Sequence, residues 1–273
     1  MLDTRGSSNH NALLQKEEIE FVRQGKMEGL TGNESQDRLI ISNLVKKYGK
    51  KAAVNDLTLT LFKDEILVLL GHNGAGKTTT IKMLIGEEKP TSGSAMAFGI
   101  DLFGEQRDEV DFLGVCPQEN VLFEKMTVYE NLKFFCRFKN MPRAEILIEE
   151  SLEKFNLEEK KNTLACNLSG GQKRKLQLAI ALMGDSKLIL LDEPSSGMDP
   201  TARRETWDII KEAKKDKIII LTTHYMDEAE MLADRVAIVS RGSLKACGST
   251  FFLKQKYGMG FFFEFDLLNG QEP

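Results

Sequence analysis

Ile66-Leu67-Val68-Leu69-Leu70-Gly71-His72-Asn73-Gly74-Ala75-Gly76-Lys77-Thr78 decides how the rest of this chain is read. Five apolar residues in a row have the length and composition of a strand buried on both faces. They run into a glycine-rich turn of the form G-x-x-x-x-G-K-[ST], and Thr79 to Leu84 then opens a helix. A strand, a glycine-rich loop and a helix in that order make a phosphate-binding unit. The glycines let backbone amides wrap an anion, and the helix N-terminus adds its positive end. Lys77 is placed to reach the β and γ phosphates of ATP, and Thr78 offers a hydroxyl to Mg²⁺, which prefers oxygen ligands and keeps waters. Gly71, His72, Asn73, Gly74, Ala75, Gly76, Lys77, Thr78 and Thr79 are the nucleotide-binding residues predicted here.

Outward from this unit, Leu188 to Leu191, Ile218 to Leu221 and Val236 to Val239 repeat the pattern of a buried strand, with helical stretches between them. Leu39-Ile40-Ile41 also reads as a strand, as does Leu57-Thr58-Leu59-Thr60-Leu61, which alternates with period two. The expected fold is α/β: a P-loop NTPase with a mostly parallel central sheet, an antiparallel β part and a helical subdomain. Residues 1–37 are polar and read as an N-terminal extension or linker, with one short possible helix near Leu13 to Val22. Residues 38–105 and 168–273 are assigned to the ATP-binding core and 106–167 to the helical subdomain. In the latter, Thr127-Val128-Tyr129-Glu130 reads as a capping box, followed by Leu132, Phe135 and Phe138 at helical spacing.

Composition narrows the function. The 273 residues are 41% hydrophobic and 29% charged with a net charge of −4, enough to bury a core and without the basic excess of a nucleic-acid binder. The basic runs Lys46-Lys47 with Lys50-Lys51, and Lys173-Arg174-Lys175, read as solvated surface. Four scattered cysteines without a C-x-x-C pair argue against zinc and against a disulfide scaffold, and fit a reducing compartment. No apolar run approaches the roughly 20 residues that span a bilayer, and there is no signal-peptide pattern, so any membrane part is expected outside this chain. Phe261-Phe262-Phe263-Glu264-Phe265 reads as core or sheet edge.

Asp192 and Glu193 follow the apolar run Leu188-Ile189-Leu190-Leu191 and precede Pro194. At the carboxyl edge of an open α/β sheet, where ligands bind, Asp192 is expected to face the metal. Glu193 is expected to point at the γ phosphate and to orient or deprotonate the attacking water. Ser169 opens a helix with apolar Leu176, Ala179, Ile180 and Met183, so its hydroxyl and the following amides lie at a helix N-terminus suited to an anion.

Leu168-Ser169-Gly170-Gly171-Gln172 resembles the signature of the ATP-binding cassette (ABC) ATPases, and the resemblance extends from about Leu39 to Phe265. It implies that two cassettes dock head to tail, so that Ser169, Gly170, Gly171 and Gln172 cap the γ phosphate held by the partner's Lys77. Gln118, in Val115-Cys116-Pro117-Gln118, matches the Q-loop that touches Mg²⁺ and the attacking water. Ser195 to Pro200, including Asp199, matches the D-loop, and Tyr48 looks like the aromatic that stacks on adenine. His224 alone would read as a core or capping residue; the resemblance makes it the switch histidine on the γ phosphate.

Three further stretches look like subfamily A of the eukaryotic ABC transporters, and specifically its first cassette: Gly114 to Phe123, Met226-Asp227-Glu228-Ala229-Glu230, and Gly248 to Lys254. That resemblance implies an ATPase on the cytoplasmic face of a membrane, coupled to transport of membrane lipid. Its partners would be a second cassette and a transmembrane domain whose coupling helix enters a groove near Leu122, Phe123 and Met126. A soluble ABC ATPase acting on ribosomes or nucleic acid is the alternative, disfavoured by the absence of sustained heptads or a basic face between Lys77 and Ser169. A non-hydrolysing regulatory cassette is the other, disfavoured because the expected catalytic groups, Lys77, Gln118, Glu193 and His224, are all present.

Overall fold

The computed structural model describes residues 37–104 and 112–257. Nearly all of the predicted N-terminal extension, including its possible helix, lies outside the described residues, as does Phe261 to Phe265.

Two sheets organise the chain. β1 (Arg38–Tyr48), β2 (Lys51–Phe62), β4 (Ser92–Ala97) and β5 (Ile100–Asp101) form an antiparallel sheet in the order β2-β1-β4-β5. The central sheet has six strands in the order β10-β9-β3-β8-β7-β6: β3 (Glu65–Leu70), β6 (Leu113–Cys116), β7 (Leu188–Asp192), β8 (Ile218–Thr223), β9 (Arg235–Ser240) and β10 (Ser243–Gly248). All its pairings are parallel except β10 against β9.

The unbroken apolar runs follow from burial on both faces. Ile66, Val68, Ile189, Leu191, Ile219 and Leu221 belong to one apolar core. Their alternates Leu67, Leu69, Leu188, Leu190, Ile218 and Ile220 belong to the other. A strand that is wet on one face alternates; these do not, because neither face meets water.

The helices are α1 (Lys77–Ile85), α2 (Val128–Phe138), α3 (Ala144–Lys154), α4 (Gly170–Leu182), α5 (Pro200–Glu212), α6 (Met226–Leu232) and α7 (Thr250–Tyr257). α1 packs with the antiparallel sheet on one side of the central sheet, through Ile81, Met83 and Leu84. α2 to α6 contribute to the core on the other side. The capping box of α2 forms: Thr127 Oγ1 accepts from the Glu130 amide at 3.1 Å, and Glu130 Oε2 accepts from the Thr127 amide at 2.8 Å.

Two expectations are corrected. The segment 106–167 is not helical throughout, because β6 lies within it and pairs with β7 in the central sheet. The glycine in β6 explains the closeness of that packing: a Cβ on Gly114 would collide with the Ala181 carbonyl of α4. The helical part therefore starts after Cys116. In addition, burial on α4 is wider than the predicted Leu176, Ala179, Ile180 and Met183, all of which are buried, since Arg174, Gln177, Leu178 and Ala181 are buried as well. The helix packs against both α2 and β6, so a second stripe also leaves water.

Candidate functional site

Strand order brings the site together. β8 lies between β3 and β7, and its last residues pair with theirs: Leu70 with Thr223, and Asp192 with Thr222. The segments leaving the carboxyl ends of the three strands are therefore neighbours. They are the glycine-rich loop from Gly71, the Asp192-Glu193 turn, and His224.

The loop closes on itself through the Ala75 amide, which donates to the His72 carbonyl at 3.1 Å. Gly76 has φ 105, and a Cβ there would strike the Ala53 carbonyl, so the chain enters α1 by a route open only to glycine. The first three amides of α1, those of Lys77, Thr78 and Thr79, have no intrahelical acceptor, and no acidic side chain stands in the first turn to take them. Lys77 is buried, at 5% exposure for the residue, and its ammonium donates to the carbonyls of Gly71 (2.6 Å) and His72 (3.2 Å). Burial lowers its pKa, and the carboxylates of Glu193 and Asp192 partly offset that.

Asp192 is buried, and its Oδ1 accepts from Thr78 Oγ1 at 3.2 Å and from Thr222 Oγ1. Glu193 leaves the strand with φ 50, a left-handed conformation unusual for a residue with a side chain. Its amide donates to Thr222 Oγ1 at 3.0 Å and to the Thr222 carbonyl at 3.1 Å, and its Oε1 lies 3.1 Å from His224 Nδ1. Thr222 thus holds both acids, a role not foreseen from sequence. Nothing in a single chain tells which strand will neighbour β7.

Ser169 and Gln172 bond each other: Ser169 Oγ accepts from the Gln172 amide at 3.2 Å and Gln172 Oε1 from the Ser169 amide at 3.0 Å. Gly170 is exposed and Gly171 half-buried, and no described residue comes within 4 Å of where a Cβ would stand on either. This turn makes no hydrogen bond to the glycine-rich loop among the described residues. Asp199 caps α5, accepting from the amides of Thr201 and Ala202, each at 3.0 Å, and the Ala202 bond leads in lowering its pKa. Gln118 is exposed, with its carbonyl accepting from Arg174. Tyr48, half exposed at the end of β1, has Lys46 Nζ 4.9 Å from its ring centre, and Lys46 is paired to Glu88 at 2.6 Å.

Arg174 departs furthest from expectation. The run Lys173-Arg174-Lys175 is not a solvated surface throughout, because Arg174 is 2% exposed and faces the loops of the site. The signal was present: Arg174 and Gln177 stand in line with apolar Leu178 and Ala181, at helical spacing on one face. The expected groove region is an apolar surface on which Val121, Phe123, Phe134 and Phe138 are exposed while Leu122 and Met126 are half-buried. Buried Asn131 shapes it, bonding the backbone of Phe123, Met126 and Thr127.

Comparison with known proteins finds related sequences and a related fold. The sequence model for the ABC transporter family (ABC_tran) matches residues 54–196. The chain is 49% identical over 219 residues to ATP-binding cassette sub-family A member 2 of Rattus norvegicus, covering 80% of this chain and 9% of that protein. It is 48% identical over 213 residues to the phospholipid-transporting ATPase ABCA3 of Homo sapiens, covering 77% and 12%. To ABC transporter A family member 2 of Dictyostelium discoideum it is 42% identical over 253 residues, covering 90% and 15%. The chain thus spans about a tenth of the length of these relatives. A solved structure of the ATP-binding subunit of an ABC transporter superposes with a TM-score of 0.74 at 28% identity, covering 81% of this chain and 93% of that one.

Proposed function

Since the chain belongs to the ABC transporter family, as an ATP-binding cassette of subfamily A, we propose that it hydrolyses ATP in a site completed by a second cassette, and that this drives transport by a longer protein. The observation that carries the shared site is the pair of glycines in the first turn of α4, just past the Ser169–Gln172 cap. Gly170 and Gly171 have helical backbone and open space where a Cβ would stand, so nothing among the described residues requires glycine at either position. Close approach of an outside group does require it, and a helix N-terminus favours an anion. A second cassette's bound γ phosphate has that character.

On this reading the amides of Gly74 to Thr79 and Lys77 cradle the triphosphate, and Tyr48 stacks on the adenine. Thr78 Oγ1 and Asp192 Oδ1, 3.2 Å apart, are hard oxygen donors suited to Mg²⁺, with Gln118 as a further donor from its loop. When bound, the ion supplies charge neutralisation at the phosphates. Glu193 accepts the proton of the attacking water, and His224 orients that carboxylate through the 3.1 Å contact before engaging the γ phosphate itself. Asp199 and its loop face the partner cassette.

The exposed Phe123, Phe134 and Phe138 surface, joined to Gln118 through the loop before α2, takes the coupling helix of a transmembrane domain at the cytoplasmic face of a membrane. Kinship with a phospholipid-transporting ATPase makes membrane lipid the proposed cargo. Among the described residues no helix is long and apolar enough to cross a membrane. Glu193→Gln tests the hydrolytic assignment: phosphate release at high protein concentration should fall on the order of 10³-fold while ATP affinity persists. Unchanged turnover would refute it.

A further inference from the structure

We propose that Arg174 is a positioning residue for Glu193, clamping the left-handed turn that aims this carboxylate into the site. The proposal rests on the reading of Glu193 as the group that activates water. Arg174 lies in the second turn of α4, and its guanidinium reaches three segments of the chain. Nη2 donates to the carbonyls of Asp192 and Glu193, the latter at 2.9 Å, and Nε donates to that of Pro194 at 3.1 Å. Nη1 donates to the carbonyls of Pro117 and Gln118 and to Gln177 Oε1, the last two at 3.3 Å. Gln177 in turn donates from Nε2 to the Glu119 carbonyl at 2.9 Å.

Three consecutive carbonyls on one side chain is the pertinent fact. Glu193 stands at φ 50, a region unfavourable for a residue with a Cβ, which persists only where the surroundings impose it. Its amide is held by Thr222 on one side, and the carbonyls before, at and after it are held by Arg174 on the other. The planar fork of five N–H donors suits this task, which a lysine ammonium with its three rotatable donors cannot reproduce across the same span. The guanidinium also joins Gln118 to the Glu193 turn, so the two groups proposed to touch the attacking water share one anchor.

The test is Arg174→Lys in the 273-residue chain. Expected are a fall in kcat on the order of 10²-fold, as for a reacting group displaced by about 1 Å, with KM and ATP affinity within about twofold of the parent. Hydrogen exchange should accelerate at the amides of Ser196 and Met198, which bond the carbonyls of Glu193 and Ser195. In a Glu193→Gln background, Arg174→Lys should add no further loss of hydrolysis, because the group it positions has gone. Parental kcat with unchanged exchange would overturn the proposal. So would a loss that multiplies with Glu193→Gln, or one that falls equally on ATP affinity. If Arg174→Lys does not fold, Gln177→Met removes the side chain that orients Nη1 and carries the same expectations in weaker form. Turnover surviving Glu193→Gln alone would defeat the catalytic reading, and the exchange measurement would still judge the clamp.

Discussion

Alanine at Gly170 or Gly171 should make this chain more stable and less active at once. Both glycines lie in the first turn of α4 with ordinary helical φ, and a Cβ at either meets nothing within 4 Å. Glycine in a helix is about 0.5–1 kcal/mol less favourable than alanine, largely through the entropy of the unfolded chain. For a domain of this size, each substitution should raise the melting temperature by roughly 1–4 °C. The proposed shared site demands the opposite for catalysis, since a methyl group between α4 and the partner's phosphate moves the anion away from the amides. A displacement of about 1 Å costs on the order of 10²-fold in rate. The assay pairs thermal unfolding of the nucleotide-free chain, followed by circular dichroism, with phosphate release at high protein concentration. Gly114→Ala is the internal control: its Cβ would strike the Ala181 carbonyl, so it should lower the melting temperature. An alanine at 170 or 171 that hydrolyses ATP at the parental rate would refute the close approach of an outside anion, and one that melts early would refute the claim that the fold has no use for glycine there.

Two further outcomes follow from the glycine-rich loop. Gly76→Ala forces a Cβ into φ 105 and against the Ala53 carbonyl, so it should cost upwards of about 2 kcal/mol in chemical denaturation and weaken ATP binding together. Lys77→Met should abolish ATP binding, and its effect on stability should depend on pH. Burial lowers the folded-state pKa of Lys77, so between that value and the ordinary 10.5 the unfolded chain binds more protons. The destabilisation caused by burying the ammonium is therefore present below the folded pKa and disappears as pH rises to 10.5. The stability of the parent relative to Lys77→Met should climb with pH in denaturation curves, and a flat or falling difference would show that the loop carbonyls compensate the charge fully.

What could be read in advance follows the range of the interactions. Ile66 to Thr78 was legible because strand, loop and helix are consecutive and each is marked by local chemistry, an apolar run, glycines and a capless helix start. Thr127 with Glu130 was legible for the same reason. β6 was not: four residues with a glycine among them carry little periodicity, and only the neighbouring β7 and α4 make that segment a strand. Thr222 was passed over because its role depends on β8 lying beside β7. Arg174 was misread because a cation between two lysines looks like surface, whereas its surroundings are backbone carbonyls from segments far away in sequence. The apolar residues Leu178 and Ala181 on its own face were the available sign that this side of the helix leaves water.

The placement of Ser169 and Arg174 on one helix has a mechanical consequence. Five residues of α-helix span about 7.5 Å, short enough to move as a rigid unit. One end presents Gly170 and Gly171, with open space where a Cβ would stand; the other holds the Glu193 turn and the Gln118 carbonyl of the same chain. If both proposals hold, an anion seated on the outward end in one site shifts the anchor of the catalytic carboxylate in the other, so the two sites of a cassette pair are coupled without a dedicated relay. Combining Gly171→Ala with Arg174→Lys then gives a direct reading. The coupling predicts a combined loss of kcat smaller than the product of the two single losses, since both act on one helix, whereas independent sites predict the full product.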